Sequence, residues 1–464
     1  MPTGARSANE TTETARPAGR RALAGWMLFD WASQPFYTLV VTFLFAPYFV
    51  NGFIADPDRG QALWAYATGF AELIAALAAP VLGAVADTGQ PRKPWIAGFS
   101  VLLVAGLCGL WLAEPGRGDL VPVVLIAFGL ATIGAELATV FTNAMMSSLV
   151  SGRRLGTLSG TGWATGYVGG LLSLVLFAGL LVADPTTGKT LLGLPPLLSL
   201  DPATREGDRL VGPFAALWYL VFVLPLFLFT PDRPPGPRQA HAVRAGLTQF
   251  LRSLKALVRE HGQVALFLLA RMLYADGVGA VFAFGGIYAA TVFGWGALEL
   301  GLFGIVLTVA GTIGAFLGGP LDDRVGSRTV IVTALLLFIA GSIGVLSVDR
   351  SHVLFVVPVE TKLAGSAPFS STGEQVLLAF AMLIGLAAAP VQASSRTLLA
   401  RLCPPEKITE FFGFFSFSGK VTAFAAPLAI GVVTHATESQ RLGIAACLVF
   451  LVAGLVLLLR VKAR

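Results

Sequence analysis

Apolar residues in this chain fall in long unbroken blocks, without the regular polar interruptions of a half-buried helix or strand. Charge-free stretches cover 31–55, 94–113, 155–183, 210–231, 300–321, 329–348, 375–395 and 442–459. Four more carry isolated charges: 62–86 (Glu72), 120–147 (Glu136), 263–293 (Arg271, Asp276) and 411–435 (Lys420). A helix needs about 20 mostly apolar residues to cross ~30 Å of hydrocarbon, so the pattern predicts twelve transmembrane helices. Membrane barrels write weak alternating segments of about ten residues instead. The expected class is all-α integral membrane.

Composition agrees. Of 464 residues, 55% are hydrophobic and only 12% charged, against about 25% charged in a soluble domain. That removes the soluble enzymes. Fifty-three glycines suit membrane helices whose backbones approach closely. Three cysteines make no disulfide framework, and Cys108 and Cys447 stand in apolar runs as inert thiols. The four histidines (His241, His261, His352, His435) are scattered, so no metal site is expected. No nucleophile constellation stands out either. Neither enzyme activity nor a cofactor is expected.

Lys and Arg exceed Asp and Glu by six, and their placement explains the excess. With both termini cytoplasmic, 22 of the 32 basic residues lie in inner segments and 8 in outer ones, leaving Arg271 and Lys420 within the membrane. This obeys the positive-inside rule and leaves no basic surplus for nucleic acid. The expected location is the cytoplasmic (plasma or inner) membrane. Residues 1–21, rich in Thr, Ala and Arg, read as a disordered cytoplasmic N-terminus. Residues 22–230 form an N-terminal six-helix half and 263–464 a C-terminal one. Between them, 231–262 is a Pro-rich, basic cytoplasmic linker. Within it Leu247, Phe250, Leu251, Leu254 and Val258 oppose Arg252, Lys255 and Arg259, the pattern of an amphipathic helix on anionic lipid.

The halves repeat. Gly83 and Asp87, followed by Arg92-Lys93, match Gly318 and Asp322, followed by Arg324 and Arg328, at an offset of 235. Thr165-Gly166 matches Ser418-Gly419 at 253. The offset grows by 18 because the connection at 349–373 is longer than its counterpart at 114–119. One insertion into a duplicated six-helix unit accounts for both figures.

Gly-x-x-x-Asp followed by basic residues, after the second and eighth spans of a 6+6 chain, resembles the signature of the major facilitator superfamily. Phe29-Asp30-Trp31-Ala32, Pro80 to Asp87, Leu273-Tyr274-Ala275-Asp276-Gly277 and Ser395-Arg396 through Gly413 resemble the autophagy-related vacuolar effluxer family and its bacterial relatives. The resemblance implies the major facilitator fold and two halves that rock about a midplane site. It also implies cytoplasmic gates at Gly83, Asp87 and Arg92 and at Gly318, Asp322, Arg324 and Arg328, with Asp323 one extra residue. Asp87 would then sit at the positive start of a facing helix and pair with Arg92; otherwise it is a helix end stopped by charge.

An ionisable group inside the bilayer is expensive and marks a candidate site. Asp30, Gln34 and Tyr37 share one face of the first helix beside Pro35, and Glu136 and Asn143 share one on the fourth. Arg271 and Asp276 lie about 140° apart around their helix, so each needs a partner elsewhere. Because the resembled fold brings the second and eleventh helices together, Glu72 and Lys420 are expected to meet. For Asp30, and for the Glu72–Lys420 pair, substrate or coupling-ion binding stands beside a structural ion pair. Gly162, Gly166 and Gly170, with Gly314 and Gly318, read as faces on which the fifth and eighth helices slide, or as lipid-facing glycines.

The expected function is secondary active transport of a small polar solute, an amino acid by resemblance, by efflux or exchange with possible proton coupling. Drug or sugar-like efflux and a non-transporting sensor are the alternatives. The expected partners are that solute, protons and the bilayer, and the expected state is a monomer. A reporter fused after Arg464 should read cytoplasmic; a signal from the opposite side would overturn the orientation.

Overall fold

The computed structural model describes residues 18–182, 188–190, 192–234, 252, 255–362 and 366–462. Eleven helices among them are long and apolar enough to cross a membrane. In the first half these are Arg20–Phe53, Pro57–Asp87, Lys93–Leu112, Gly118–Leu149, Gly152–Leu181 and Glu206–Phe229. In the second half, Gly262–Phe293, Glu299–Val325, Ser327–Leu346 and Thr372–Leu402 are the seventh to tenth spans, and Gln440–Leu458 is the twelfth. Large apolar side chains line their outer faces. On the sixth helix Leu217, Leu220, Val221, Leu224 and Leu228 are all exposed, a helical stripe that suits lipid.

The eleventh span departs from the expected continuous run. It consists of two pieces, Ile408–Ser418 and Ala425–Thr437, with turns over 419–424 between them. Gly419 has low helix propensity, and Val421 and Thr422 are β-branched. Pro427, in the first turn of the outer piece, has no N–H to return to the Ala423 carbonyl. Sequence alone therefore unwinds this helix near the position of its midplane charge, Lys420.

The first helix also differs. It begins at Arg20, so Arg20 and Arg21 open a helix instead of ending a disordered tail, and Asp30 lies well inside it. Beyond Pro35 the chain continues in wider π-type turns over Phe36–Phe43. Most of the predicted linker helix lies outside the described residues. The described part, 255–259, is helical, with Leu257 buried and Val258 exposed.

Packing repeats between the halves. The first helix packs on the fifth and sixth as the seventh packs on the twelfth and on the eleventh span, and the third pairs with the fourth as the ninth with the tenth. The halves meet along two seams, second helix on Ile408–Ser418 and fifth on eighth. The outer piece Ala425–Thr437 instead packs chiefly on the twelfth helix. Contact between the halves is thus concentrated at the end of the bundle that carries both termini.

Two glycines make the first seam possible. A Cβ on Gly83 would stand 2.5 Å from the Thr409 carbonyl oxygen, and one on Gly413 would stand 2.4 Å from the Pro80 Cα. The stripes expected to slide have other roles. Gly162, Gly166 and Gly170 face Asp30, Gln34 and Thr38 of the first helix, and Gly314 and Gly318 face Leu386 and Pro390 of the tenth. The fifth and eighth helices close instead through Gly156 and Gly160 against Ala315 and Gly319. The Gly83→Ala variant should force the first seam apart and lose about 1–3 kcal/mol of stability, the usual cost of overpacking. Thermal denaturation in detergent measures this, with Gly98→Ala, which meets open space, as the unaffected control.

Candidate functional site

At the break in the eleventh span, Lys420 reaches across to the first half. Its Nζ lies 3.1 Å from Glu72 Oε1 on the second helix and 3.2 Å from Glu136 Oε1 on the fourth. Tyr37 on the first helix donates its hydroxyl to Glu136 at 3.3 Å. Sequence spacing anticipated the Glu72–Lys420 contact; that Glu136 shares the lysine was not anticipated. Two carboxylates against one ammonium leave the cluster with a formal charge of −1. Arg271 approaches the same break from the seventh helix. Its Nη1 donates to the Phe415 carbonyl at 2.6 Å and the Ser418 hydroxyl at 3.1 Å, and its guanidinium lies 3.5 Å from the Phe415 ring centroid. Asp276, also on the seventh helix, is buried beside Thr422 and joins none of these bonds.

Seven residues separate Tyr37 from Asp30, about 10 Å along a helix. There, toward the closed end, a second cluster surrounds Arg396 of the tenth helix. Arg396 is 3% exposed. It contacts Asp30 at 3.4 Å, Asn143 Oδ1 at 2.9 Å, and the Ser159 hydroxyl and carbonyl at 2.9 and 2.8 Å. The Trp26 and Trp163 rings flank it. All these partners belong to the first half. Gln34 packs between the clusters, against Gly166 and Gly170.

The gates lie beyond. Asp87 accepts a 2.9 Å hydrogen bond from the Glu410 amide in the first turn of the eleventh span. Arg92 and Arg233 stand 3.9 and 3.6 Å from its other oxygen, and Arg92 donates to the Thr409 hydroxyl at 3.0 Å. Burial, then the neighbouring Arg233, pulls Arg92 down to about 10, while Asp87 and Asp232 favour its charged form. The second gate uses the same device with a correction of one residue. It is Asp323, not Asp322, that accepts from the Gly156 and Thr157 amides of the fifth helix, both at 2.7 Å. Asp322 is fully buried against Ser327 and Arg401. Arg324 is exposed and Arg328 bonds carbonyls at the end of the twelfth helix, so neither provides the gate's basic partner. Arg401 does, reaching Asp322 at 2.8 Å, Asp323 at 3.1 Å and the Gly152 carbonyl at 3.1 Å.

Residues 150–464 match the family model described as "Vacuole effluxer Atg22 like". The chain belongs to that family. It is similar to an uncharacterized MFS-type transporter, YxiO, of Bacillus subtilis (strain 168), with 23% identity over 93% of each chain. It is also similar to autophagy-related protein 22 of Cryptococcus neoformans, with 24% identity over 66% of this chain and 50% of that protein. Among solved structures, a Major Facilitator Superfamily transporter, FucP, in its outward conformation gives a TM-score of 0.69 at 15% identity, covering 96% of this chain and 99% of that one. The human organic anion transporter MFSD10 gives 0.68, also at 15% identity, covering 95% and 99%. The fold is thus the major facilitator fold of twelve helices in two halves. Family membership places the chain among integral-membrane secondary transporters and outside the enzymes.

Sequence reasoning missed Arg396 and Arg401 as site residues of this effluxer-family chain, because both had been counted as inner-loop charges. The available signal was the length of the apolar segment: the tenth helix runs 31 residues, enough to enclose both. Removing the charge of Asp30 strands Arg396 in a buried site. Asp30→Asn should therefore lower stability by about 3 kcal/mol, the scale for breaking a buried pair. Thermal denaturation should show the loss, and the double variant Asp30→Asn/Arg396→Met should recover most of it.

Proposed function

We propose that this transporter exports or exchanges a small zwitterionic solute of the amino-acid class across the cytoplasmic membrane, with both termini inside. The observation that carries this reading is Lys420, which bridges Glu72 and Glu136 from the opposite half at the unwound turn. A zwitterion brings its own carboxylate and ammonium. Its carboxylate replaces a glutamate on Lys420, with Arg271 at hand, and its ammonium takes the vacated Glu136 or Glu72. The internal pair thereby opens without leaving a lone charge in the membrane, and the substrate becomes the link between the halves. Discontinuous helices at the midplane serve this kind of binding in transporters generally. Asp30 and Asn143 act one step removed, holding Arg396 and keeping the terminal end shut while the midplane is occupied. The Asp87 and Asp323 gates break when the halves rock, and the protein works as a monomer.

Proteoliposomes loaded with unlabelled amino acids test the substrate by counterflow of radiolabelled ones, with and without a pH gradient. Exchange of one or more amino acids is expected. Lys420→Met should abolish it, by more than about tenfold, because the zwitterion's carboxylate then loses the cation that bridges the halves and Glu72 and Glu136 repel each other. Lys420→Arg should retain part. Exchange of sugars or lipophilic drugs in place of amino acids would replace the substrate assignment. Full exchange by Lys420→Met would remove the site from this cluster.

A further inference from the structure

One intramembrane carboxylate stands apart from the ion pairs. Asp276 is 5% exposed, and neither carboxylate oxygen has a hydrogen-bond partner. The Thr422 hydroxyl approaches it from the unwound turn and is itself buried without a partner. Arg271 lies five residues earlier on the same helix, with its Nη1 bonded to the Phe415 carbonyl and the Ser418 hydroxyl and its Nε buried without a partner, and it forms no ion pair with Asp276. The turn adds more unused oxygen: among the described residues, the carbonyls of Gly419, Val421 and Ala423 accept no hydrogen bond. An ionised carboxylate left this way inside a membrane is strongly disfavoured, and irregular backbone there is tolerated where it lines a cavity or holds an ion.

We propose that Asp276 and Thr422, with the unwound turn 419–424, bind the small monovalent cation that drives transport, a proton or an alkali-metal ion. This rests on the transporter reading above and adds the coupling site to it. A single carboxylate, a hydroxyl and unwound backbone present only oxygen, the donor set that hard monovalent cations accept, and one positive charge neutralises Asp276. Other charged or titratable groups nearby are accounted for. Tyr274 is bonded to Ser395 of the tenth helix, and Arg396 of that helix is bound to the first half. Lys420 on the turn is held by the two glutamates, and the twelfth helix contributes Cys447, whose carbonyl lies beside Gly277. Coupling follows from covalent continuity. Thr422 and Lys420 are two residues apart on one turn, so an ion drawn between Asp276 and Thr422 resets the geometry with which Lys420 presents itself to Glu72, Glu136 and the solute.

The full-length protein in detergent provides a test that needs no substrate. Its thermal midpoint is followed against sodium chloride at constant ionic strength, with choline as the replacement ion, and against pH without sodium. If the ion is sodium, the wild type gains stability with saturating sodium dependence, and both Asp276→Asn and Thr422→Val shift the half-saturating concentration by about tenfold or more. If it is a proton, the wild type shows a pH dependence that Asp276→Asn loses and Thr422→Val displaces. A wild type indifferent to both, or an Asp276→Asn protein with the wild-type response, overturns the proposal. Should Asp276→Asn fail to fold, unchanged responses in both Asp276→Glu and Thr422→Val overturn it equally. Counterflow separates the two readings. Amino-acid exchange with wild-type cation dependence in Asp276→Asn removes the ion site and leaves the substrate. A cation response with no amino-acid exchange does the reverse.

Discussion

A charge inside hydrocarbon must find an opposite charge, and in this protein most of those opposites sit on the other half of the molecule. Glu72 and Glu136 belong to the first half and Lys420 to the second. Asp30 belongs to the first and Arg396 to the second. The same division holds at the terminal end, where Asp87 meets the eleventh span and Asp323 meets the fifth helix. Neither half can separate from the other without exposing or stranding a charge, unless something else supplies the missing partner. That requirement ties the association of the halves to whatever enters between them.

Such pairs are poor evidence of net stability, because desolvation cancels much of the attraction. Their value here lies in direction and depth. The pairs form a ladder from the midplane cluster through Arg396 to the two gates, and contact between the halves thins beyond Lys420. A structure closed at one end and held by exchangeable partners in the middle is what alternating access needs at one extreme of its cycle. The gates add a helix-terminus contribution. Each aspartate accepts amide hydrogens that the facing helix leaves unpaired in its first turn, where the helix dipole favours negative charge. Tilting either helix away costs both interactions together.

Much of this was legible in the sequence. Span number, the two halves and the meeting of Glu72 with Lys420 follow from block length, repeat offset and the cost of lone charges. What was not legible concerns direction. A membrane helix is apolar all round, so periodicity does not say which face meets protein and which meets lipid. Gly162, Gly166 and Gly170 therefore read as a sliding face when they accommodate the first helix. Likewise a basic residue near the end of a long apolar run reads as loop, and only the full extent of the helix Thr372–Leu402 brings Arg396 inside. The break at 419–424 was half visible, since Gly419, Thr422 and Pro427 are all poor helix formers, but apolar content outweighed them in a window twenty residues wide.

The two gates show how a duplicated motif diverges without losing its geometry. In the first half, Asp87 caps the facing helix and its arginine partner Arg92 is almost fully buried. In the second, an added residue moves the cap to Asp323 and turns Asp322 inward, where Ser327 and Arg401 satisfy it. Arg401 keeps nearly a quarter of its side chain in solvent and is shared between two carboxylates and the Gly152 carbonyl. A partly solvated, shared cation gives up each contact at lower cost than a buried one does. When the seams part, both arginines keep carboxylates of their own half, Arg401 with Asp322 and Asp323 and Arg92 with Asp87. What each seam loses is its helix-terminus bonds, together with Thr409 for Arg92 and the Gly152 carbonyl for Arg401. Pseudo-symmetry in the fold thus coexists with asymmetry in how deeply each gate's cation is buried.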